Sequence, residues 1–576
     1  MSSAQSTWRL AAWIAGVFSL LVGATMVVGH FGTRAEDPLK SPLLREYKEK
    51  LRLNPMDEQM KERIRGLDLQ LRRQYFRQLT QMGAGVYLLL GGVAVFVFSV
   101  TQSARYAKRP PLPGPKAEGA EVSARAAVRA RWSVAASGVV CGVFLFVVSL
   151  GLSTALPKGP AEVDKLLGSG GAATAPDAAS PEELRANWPR FRGADGSGRC
   201  AFTNVPASWD PKTGAGIAWK VSVPASGFSS PIVWGKRVFL SGGDAKLREV
   251  FCLDGETGQT LWRQAVTNVP GSVPGGEVPD STGYAASTLA TDGRRVYAIF
   301  ANGDCAAFTL DGKPVWSRSF GALKNAYGYA TSLATWQDRL VVQLDQGEAD
   351  EGKSKLCALD GRTGRTVWER PRKVGSSWAS PIVYEAAGKA QVVALAVPWA
   401  IAYAAADGTE LWRVEGLNGE ITPSPVFAGG LLFVVSPSEK LLAIRPDGQG
   451  DVTKTHVSWS SEDNVPDVTS PTSNDELIFT LTTPGMLTCY DAKDGKKQWD
   501  HDFETECHAS PSLAGNRLYL LSQKGTAVVV EAGRQFKELF RAEMGDAFHA
   551  SPAFGPDRIY LRGVTNVWCI GPKHGS

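Results

Sequence analysis

Charge of one sign is scarce in this chain. Its 576 residues carry 62 Lys and Arg against 57 Asp and Glu, and the net of +5 is too small and too spread to mark a nucleic-acid partner. Histidine is scarcer still, with six in all. The cysteines and histidines show no spacing of the zinc-binding kind. No glycine-rich loop is laid out to cradle phosphates, and no basic stripe is interleaved with aromatics. A Cys-x-x-Cys-His run, which would attach a haem and pass electrons onward, is also missing.

What the chain does have is a repeat. An Ala/Ser-Ser-Pro phrase, an apolar strand, a strand ending in Asp-Gly and then a Trp recur along the last two-thirds. They read as Ser230-Pro231, Asp254-Gly255, Trp262; as Ser380-Pro381, Asp407-Gly408, Trp412; and as Ser470-Pro471, Asp494-Gly495, Trp499. The terminal positions are Trp219, Trp262, Trp316, Trp368, Trp412, Trp459, Trp499 and, as a substitute, Phe540, at a mean spacing of about 46 residues. That length suits one four-stranded propeller blade. Each unit holds short apolar runs such as Val296-Tyr297-Ala298-Ile299 and Leu431-Leu432-Phe433-Val434-Val435 between turn residues. The Asp-Gly pairs are expected to supply the positive φ of a hairpin between the third and fourth strands.

The last unit, from Ser551-Pro552 to Cys569, has no terminal Trp strand, whereas Ile217-Ala218-Trp219-Lys220-Val221 stands alone before the first full unit. Pairing the two closes a ring and removes open sheet edges. The expectation is therefore an all-β, eight-bladed propeller over 186–576, its eighth blade completed by both chain ends. Cys252, Cys305, Cys357, Cys489 and Cys569 fall one per blade at similar positions, far apart around such a ring. They read as small buried apolar residues and not as a disulfide framework.

The stretch Leu253-Asp254-Gly255-Glu256-Thr257-Gly258-Gln259-Thr260-Leu261-Trp262 resembles the tryptophan-docking motif of quinoprotein-type (PQQ-like) propellers. Leu359 to Trp368, containing Gly364, is a second copy, and Ala406 to Trp412 a shortened one. The segment Asn187-Trp188-Pro189-Arg190-Phe191-Arg192-Gly193-Ala194-Asp195-Gly196-Ser197-Gly198 resembles the opening of many bacterial PQQ-like repeat proteins. The resemblance implies that Gly258, Trp262, Trp316, Gly364, Trp368, Trp412, Trp459 and Trp499 lock neighbouring blades together.

Ahead of the propeller, residues 1–156 hold three uncharged apolar runs, about 10–28, 83–100 and 134–152, each long enough to be read as a membrane span. Between the first two lies a charged segment, 36–81, with apolar residues at helical spacing. Residues 157–185, rich in Gly, Ala and Pro, read as a flexible linker. The positive-inside rule puts the loop between the second and third runs in the cytoplasm and the propeller outside, but the 32–82 segment, which would then also lie outside, is itself rich in Lys and Arg, so charge alone leaves the orientation open. The resemblance breaks the tie, because propellers of this type usually work beyond the inner membrane. The expectation is a multi-pass protein of the bacterial inner (cytoplasmic) membrane with a periplasmic propeller.

In a propeller the innermost strand of each blade lines the central channel, and the residues before each Ser-Pro phrase should ring its mouth. These are Phe228, Tyr284, Tyr327, Tyr329, Trp378, Glu420, Thr422, Asp467, Glu506, His508, Asp546 and His549. His508 heads Ala509-Ser510-Pro511 and His549 heads Ala550-Ser551-Pro552, so adjacent blades bring the two together. With Glu506, Asp546 and Asp467 nearby they could hold a metal or move protons, or only bond channel backbone and water. Tyr284, Tyr329 and Trp378 offer flat surface on the opposite side for a planar or sugar-like ligand. The Pro/Gly-rich loop 268–283 is a possible lid. The acidic loop 345–355 has carboxylates at Asp345, Glu348, Asp350 and Glu351 that match no standard calcium loop.

Two functional classes follow. Quinoprotein dehydrogenases of this fold use PQQ and calcium, and typically carry an adjacent Cys-Cys pair that this sequence does not contain. The favoured class is a membrane-tethered, non-catalytic scaffold that binds a protein or glycan through its funnel face, similar to the propeller component of outer-membrane protein assembly. A sensor of a small funnel ligand is a further alternative.

Overall fold

The computed structural model describes residues 8–23, 89, 91–102, 178–274 and 277–573. The chain divides into two units, Met1–Thr174 and Ala175–Ser576. The apolar run 134–152, the charged segment 36–81 and most of the linker lie outside the described residues.

In the first unit, residues 8–23 and 91–102 are helical. They meet through small residues: a Cβ on Gly92 would lie 2.5 Å from Ser19 Oγ, and one on Gly16 would lie 3.3 Å from the Phe96 ring. Trp8 meets Phe98 edge-on at 5.7 Å. Their outer faces are apolar and bare, Trp13 being 74% and Leu20 75% exposed. No helix among the described residues is long and apolar enough to cross a membrane.

The second unit is an eight-bladed propeller. Blades 1 to 7 are four-stranded sheets over 232–265, 290–319, 334–371, 382–415, 426–461, 472–502 and 512–543. Blade 8 takes its three inner strands from 553–570 and its outermost from Ile217–Ser222, which runs antiparallel to Asn566–Ile570 with Trp219 opposite Cys569. Each innermost strand is short, and the second and third strands are buried on both faces because each blade is sandwiched between two others. Outermost strands alternate exposed and half-buried residues, as in Thr260–Ala265. The five repeat cysteines are fully buried. Two blades gain a short edge strand: Gly450–Asp451 runs parallel to Trp412–Arg413 of blade 4, and Arg199–Cys200 runs parallel to Leu513–Ala514 of blade 7.

The Trp positions link the blades through one geometry. Each indole N–H donates to a carbonyl in the next blade: Trp219 to Gly255 (3.0 Å), Trp262 to Leu310 (3.0 Å), Trp316 to Gly361 (2.8 Å), Trp368 to Ala405 (3.1 Å), Trp459 to Ala492 (3.0 Å) and Trp499 to Gly533 (2.9 Å). A glycine with positive φ lies under the ring at most of these joints; a Cβ on Gly258 would stand 2.8 Å from Trp219, and one on Gly364 2.6 Å from Trp316. The expectation about Asp-Gly needs correction here. Gly312, Gly408 and Gly495 do have positive φ, but Gly255 and Gly361 do not. In those longer turns Asp254 and Asp360 accept the next backbone N–H groups, and the left-handed residue moves on to Gly258 and Gly364. Gly255 is required for closeness instead, since its Cβ would fall 2.7 Å from Tyr560 Oη.

Trp412 departs from the pattern. Blade 5 replaces the tight turn with an excursion containing the helix Thr453–His456. The Trp412 indole therefore donates to Gln391 Oε1 in its own sheet (2.9 Å), and Gln391 Nε2 passes the link to the Pro446 carbonyl of blade 5 (3.0 Å). Phe540 has no N–H to give and packs against Trp209, ring centroids 4.7 Å apart.

The Ser-Pro phrase has its own task. The backbone N–H of Ser230 donates to the Thr288 hydroxyl, Thr288 to Ser332, Ser332 to Ser380, Ser380 to Ser424, Ser424 to Ser470, Ser470 to Ser510, Ser510 to Ser551 and Ser551 back to Ser230, all at 2.9–3.0 Å. Eight buried hydroxyls thus close a hoop around the channel, one per blade. Replacing Ser470 by Ala strands the buried Ser424 N–H, and the expected loss is about 1–3 kcal/mol of stability. Chemical denaturation checks this, with the exposed Ser458→Ala in an outermost strand staying within about 0.5 kcal/mol of the parent.

Beyond the hoop the channel is stopped. Trp188 bridges Val233 in blade 1, the Pro189 carbonyl accepts from Thr291 in blade 2, and the Gly198 carbonyl accepts from Leu513 in blade 7. Between them, Arg190 donates to the Thr335 carbonyl of blade 3 (2.7 Å). Arg192 donates to the carbonyls of Pro511 (3.2 Å), Ser197 (2.9 Å), Gly196 (3.4 Å) and Pro471. Residues 187–200 therefore cross one end of the channel as a plug. Residues 179–185, assigned above to the linker, are fixed to the propeller as well. Ala179 donates to the Asp292 carbonyl (2.7 Å), and the helix Pro181–Arg185 is held by a capping box on Ser180.

Candidate funnel site

The plug touches inner strands after the hoop serines, while the candidate residues precede them. The two sets mark opposite ends of the channel, and the unplugged end is the funnel mouth. Its side chains fall into two clusters four blades apart.

The first cluster spans blades 7, 8 and 1. His508 and His549 face each other with Nδ1 atoms 3.4 Å apart, and the Phe228 ring meets His549 edge-on at 5.0 Å. Both imidazoles are half-buried. Burial pushes both below the ordinary histidine value; Asp467 and Glu506 oppose this at His508, and His508 adds to it at His549. Glu506 is exposed and lines a depression of about 320 Å³ with Thr483, Pro484, Glu504, Thr505 and Lys524. Cys507 points into the core, where burial pushes its thiol up to about 12.

Two carboxylates expected here are committed elsewhere. Asp546 is buried and accepts from Thr565 N (3.0 Å), Asn566 N (2.8 Å) and Asn566 Nδ2 (3.1 Å). Burial works to raise its pKa, but these donors outweigh that and hold it below the usual carboxylate range. Asp467 Oδ1 accepts from Thr483 N (3.2 Å) and Thr483 Oγ1 (2.7 Å). Each aspartate pins a turn of the blade it leads into.

The second cluster spans the entries to blades 3, 4 and 5. Trp378, half-buried, donates its indole N–H to Asn325 Oδ1 (2.6 Å) and receives the edge of Tyr327 at 5.1 Å. The Tyr327 hydroxyl bonds to the exposed Glu420, which raises its pKa. Tyr327 and not Tyr329 is the aromatic of this group. Tyr329 is buried in the core between blades 2 and 3, with its hydroxyl on the Gln343 carbonyl (2.9 Å). Tyr284 is half-buried on the other flank, its carbonyl accepting from Ala301 N (3.1 Å).

The acidic loop is not a cation site. Asp345 is fully buried against Arg372, and Glu351 is paired with Lys324 and Lys353. Among the described residues no group of three or more His, Cys, Asp or Glu is placed to hold a metal ion. Quinone chemistry fits no better. The described cysteines are single and mostly buried, and Asp467 and Asp546 are spent on turns. The residues present do not fit PQQ with calcium.

Sequence reasoning missed the plug arginines, Asn325 and Lys524. Arg190 and Arg192 sit in a segment without periodicity. Lys524 lies in the Ser522-Gln523-Lys524-Gly525 turn, whose position above the mouth follows only from strand order.

Comparison with known proteins agrees with this architecture. The family profile described as outer membrane protein assembly factor BamB matches residues 203–343, 352–474 and 457–563. The outer membrane protein assembly factor BamB of Alkalilimnicola ehrlichii is 29% identical over 222 residues, 38% of this chain and 51% of that relative, so the match spans about half of its length. Among solved structures, the quinohemoprotein alcohol dehydrogenase of Comamonas testosteroni aligns with a TM-score of 0.53 at 12% identity, over 70% of this chain and 85% of that one. A quinohemoprotein alcohol dehydrogenase of Pseudomonas putida HK5 aligns with a TM-score of 0.50 at 13% identity, over 69% and 82%. These two likenesses are of fold alone. With the family profile covering more than half of its length, this chain belongs to the PQQ-like propeller family described as outer membrane protein assembly factor BamB.

Proposed function

We propose that this protein is a non-catalytic binding or assembly scaffold, tethered to the bacterial inner membrane by its N-terminal region, with its propeller on the periplasmic side. The observation that carries the scaffold reading is the plugged channel. With Arg190 and Arg192 tying a segment across one end, the other end is left as a recognition surface. The mouth's inner aspartates serve the fold, while Glu420, Glu506 and the Tyr327–Trp378 pair remain open to a partner. A protein surface is the favoured partner and a glycan the second, the latter supported by the aromatic pair. The bare apolar faces around Trp13, Leu20 and Val93–Phe98 support the tether.

The test uses the full chain in its native membranes, with a photo-crosslinking residue placed at Glu506, at Glu420 or, on the plug side, at Lys236. A discrete protein adduct from the mouth positions and none from Lys236 is expected. Adducts only at Lys236, or none anywhere, overturn the reading. A reporter fused after Ser576 checks the side of the membrane, and activity confined to the cytoplasm overturns the orientation.

A further inference from the structure

We propose that the funnel mouth binds one divalent transition-metal ion of the zinc class between His508 and His549, in an open site completed by water or by a donor group from a docked partner. The binding half of this inference stands on the histidine pair alone and does not need the scaffold reading.

The two imidazoles meet at a separation that is long for a hydrogen bond and suits a shared metal ion. Their Nδ1 atoms are 3.4 Å apart, beyond the ordinary range of about 2.7–3.2 Å for a good N–H donor contact. Two imidazole nitrogens on one tetrahedral zinc, with bonds of about 2.0–2.1 Å, stand about 3.3–3.4 Å apart. The pair is also held ready. Each histidine lies two residues before a hoop serine, and the backbone at Ser510 donates to the Ser551 hydroxyl while Ser551 donates to Ser230. Phe228 fixes one side of the His549 ring. Neither ring is sealed from solvent.

Two protein ligands make an exchangeable site and not a structural one. Structural zinc takes four protein ligands and catalytic zinc three, so a two-histidine site leaves two positions for water or incoming groups. A partner that supplies a carboxylate, imidazole or thiolate would complete the shell, and metal would then strengthen docking at this mouth.

The experiment uses the untagged full chain in detergent, stripped with a chelator, and titrates it with Zn²⁺ and Co²⁺. Equilibrium dialysis gives stoichiometry, and the visible absorption of Co²⁺ reports nitrogen coordination. One ion per chain is expected. H508A and H549A should each weaken it on the order of tenfold or more, with H456A unchanged. Loss that follows His456, which sits 3.5 Å from Asp447, overturns the assignment. So does saturable binding unaffected by H508A. Should the variants unfold, carbethoxylation of the parent protein decides: zinc must protect His508 and His549 and leave His456 reactive, and equal labelling with and without zinc overturns the site. Absence of metal binding together with retained mouth adducts removes this inference and leaves the scaffold reading standing; metal binding without adducts does the reverse.

Discussion

Replacing Asp345 by alanine is expected to destabilise the propeller by about 3–5 kcal/mol, the largest effect of any single change considered. Asp345 and Arg372 are both fully buried, joined through Arg372 Nε to Asp345 Oδ1 at 2.9 Å. Gln343 Nε2 supports the other carboxylate oxygen (2.7 Å), and Arg372 Nη1 reaches Tyr403 Oη (3.1 Å) across to blade 4. Removing the carboxylate leaves a guanidinium without its counter-charge in a dry interior. A loss of this size is a large part of the net stability of an ordinary domain, about 5–15 kcal/mol. The pair itself need not stabilise. Changing Asp345→Leu together with Arg372→Met should recover most of the loss, since apolar replacement of both partners is often neutral or better. Denaturant midpoints of the two variants decide between these outcomes. The exposed Asp350→Ala, a few residues along the same loop, should stay within about 0.5 kcal/mol of the parent.

Arg192→Met comes second, with an expected loss of about 3 kcal/mol. The side chain is 1% exposed and donates only to carbonyls. Burial pushes the guanidinium down to about 9, which still leaves it charged at neutral pH. Methionine fills much of the volume but leaves the Pro471 and Pro511 carbonyls without their donor. The plug should then open before the ring does, so limited proteolysis is expected to cut within 187–200 in the variant and not in the parent. Arg192→Lys should recover only part of the loss, because an ammonium cannot fork to carbonyls on two blades. Arg199→Ala removes an ion pair to Asp475 at the surface and should cost less than about 1 kcal/mol. Equal protease resistance in Arg192→Met and the parent would rule out the plug as a separately held element.

The ring itself was legible because it is written eight times. Repeat length set the blade count, and the orphan strand at Ile217 had one unsatisfied blade to join. The roles of individual polar residues were much less legible. Counting back from Ser-Pro finds which residues stand at the mouth, but not where each side chain turns. Tyr327 and Tyr329 differ by two positions, yet one turns to Trp378 and the other into the core. Asp467 and Asp546 looked free to do chemistry, but a carboxylate next to a turn finds backbone donors within reach, and nothing in composition reveals that. The serines of the Ser-Pro phrase were visible only as landmarks; their hoop requires each blade to know the position of the next. The plug is the opposite case, a segment with a recognisable motif and no periodicity, whose meaning lies wholly in contacts to strands far away in sequence.

Closure by both chain ends has a consequence for biosynthesis. The strand Ile217–Ser222 is among the first parts of the propeller to leave the ribosome, and its partner Asn566–Ile570 among the last, with about 350 residues between them. At roughly 5–20 residues per second, the early strand waits on the order of 20–70 s for its mate. The plug waits almost as long for Pro471 and Pro511. If blades form as they emerge, the chain is through that interval an open fan with a naked edge at each side, and the arrival of the propeller's final strand ends its exposure to mispairing.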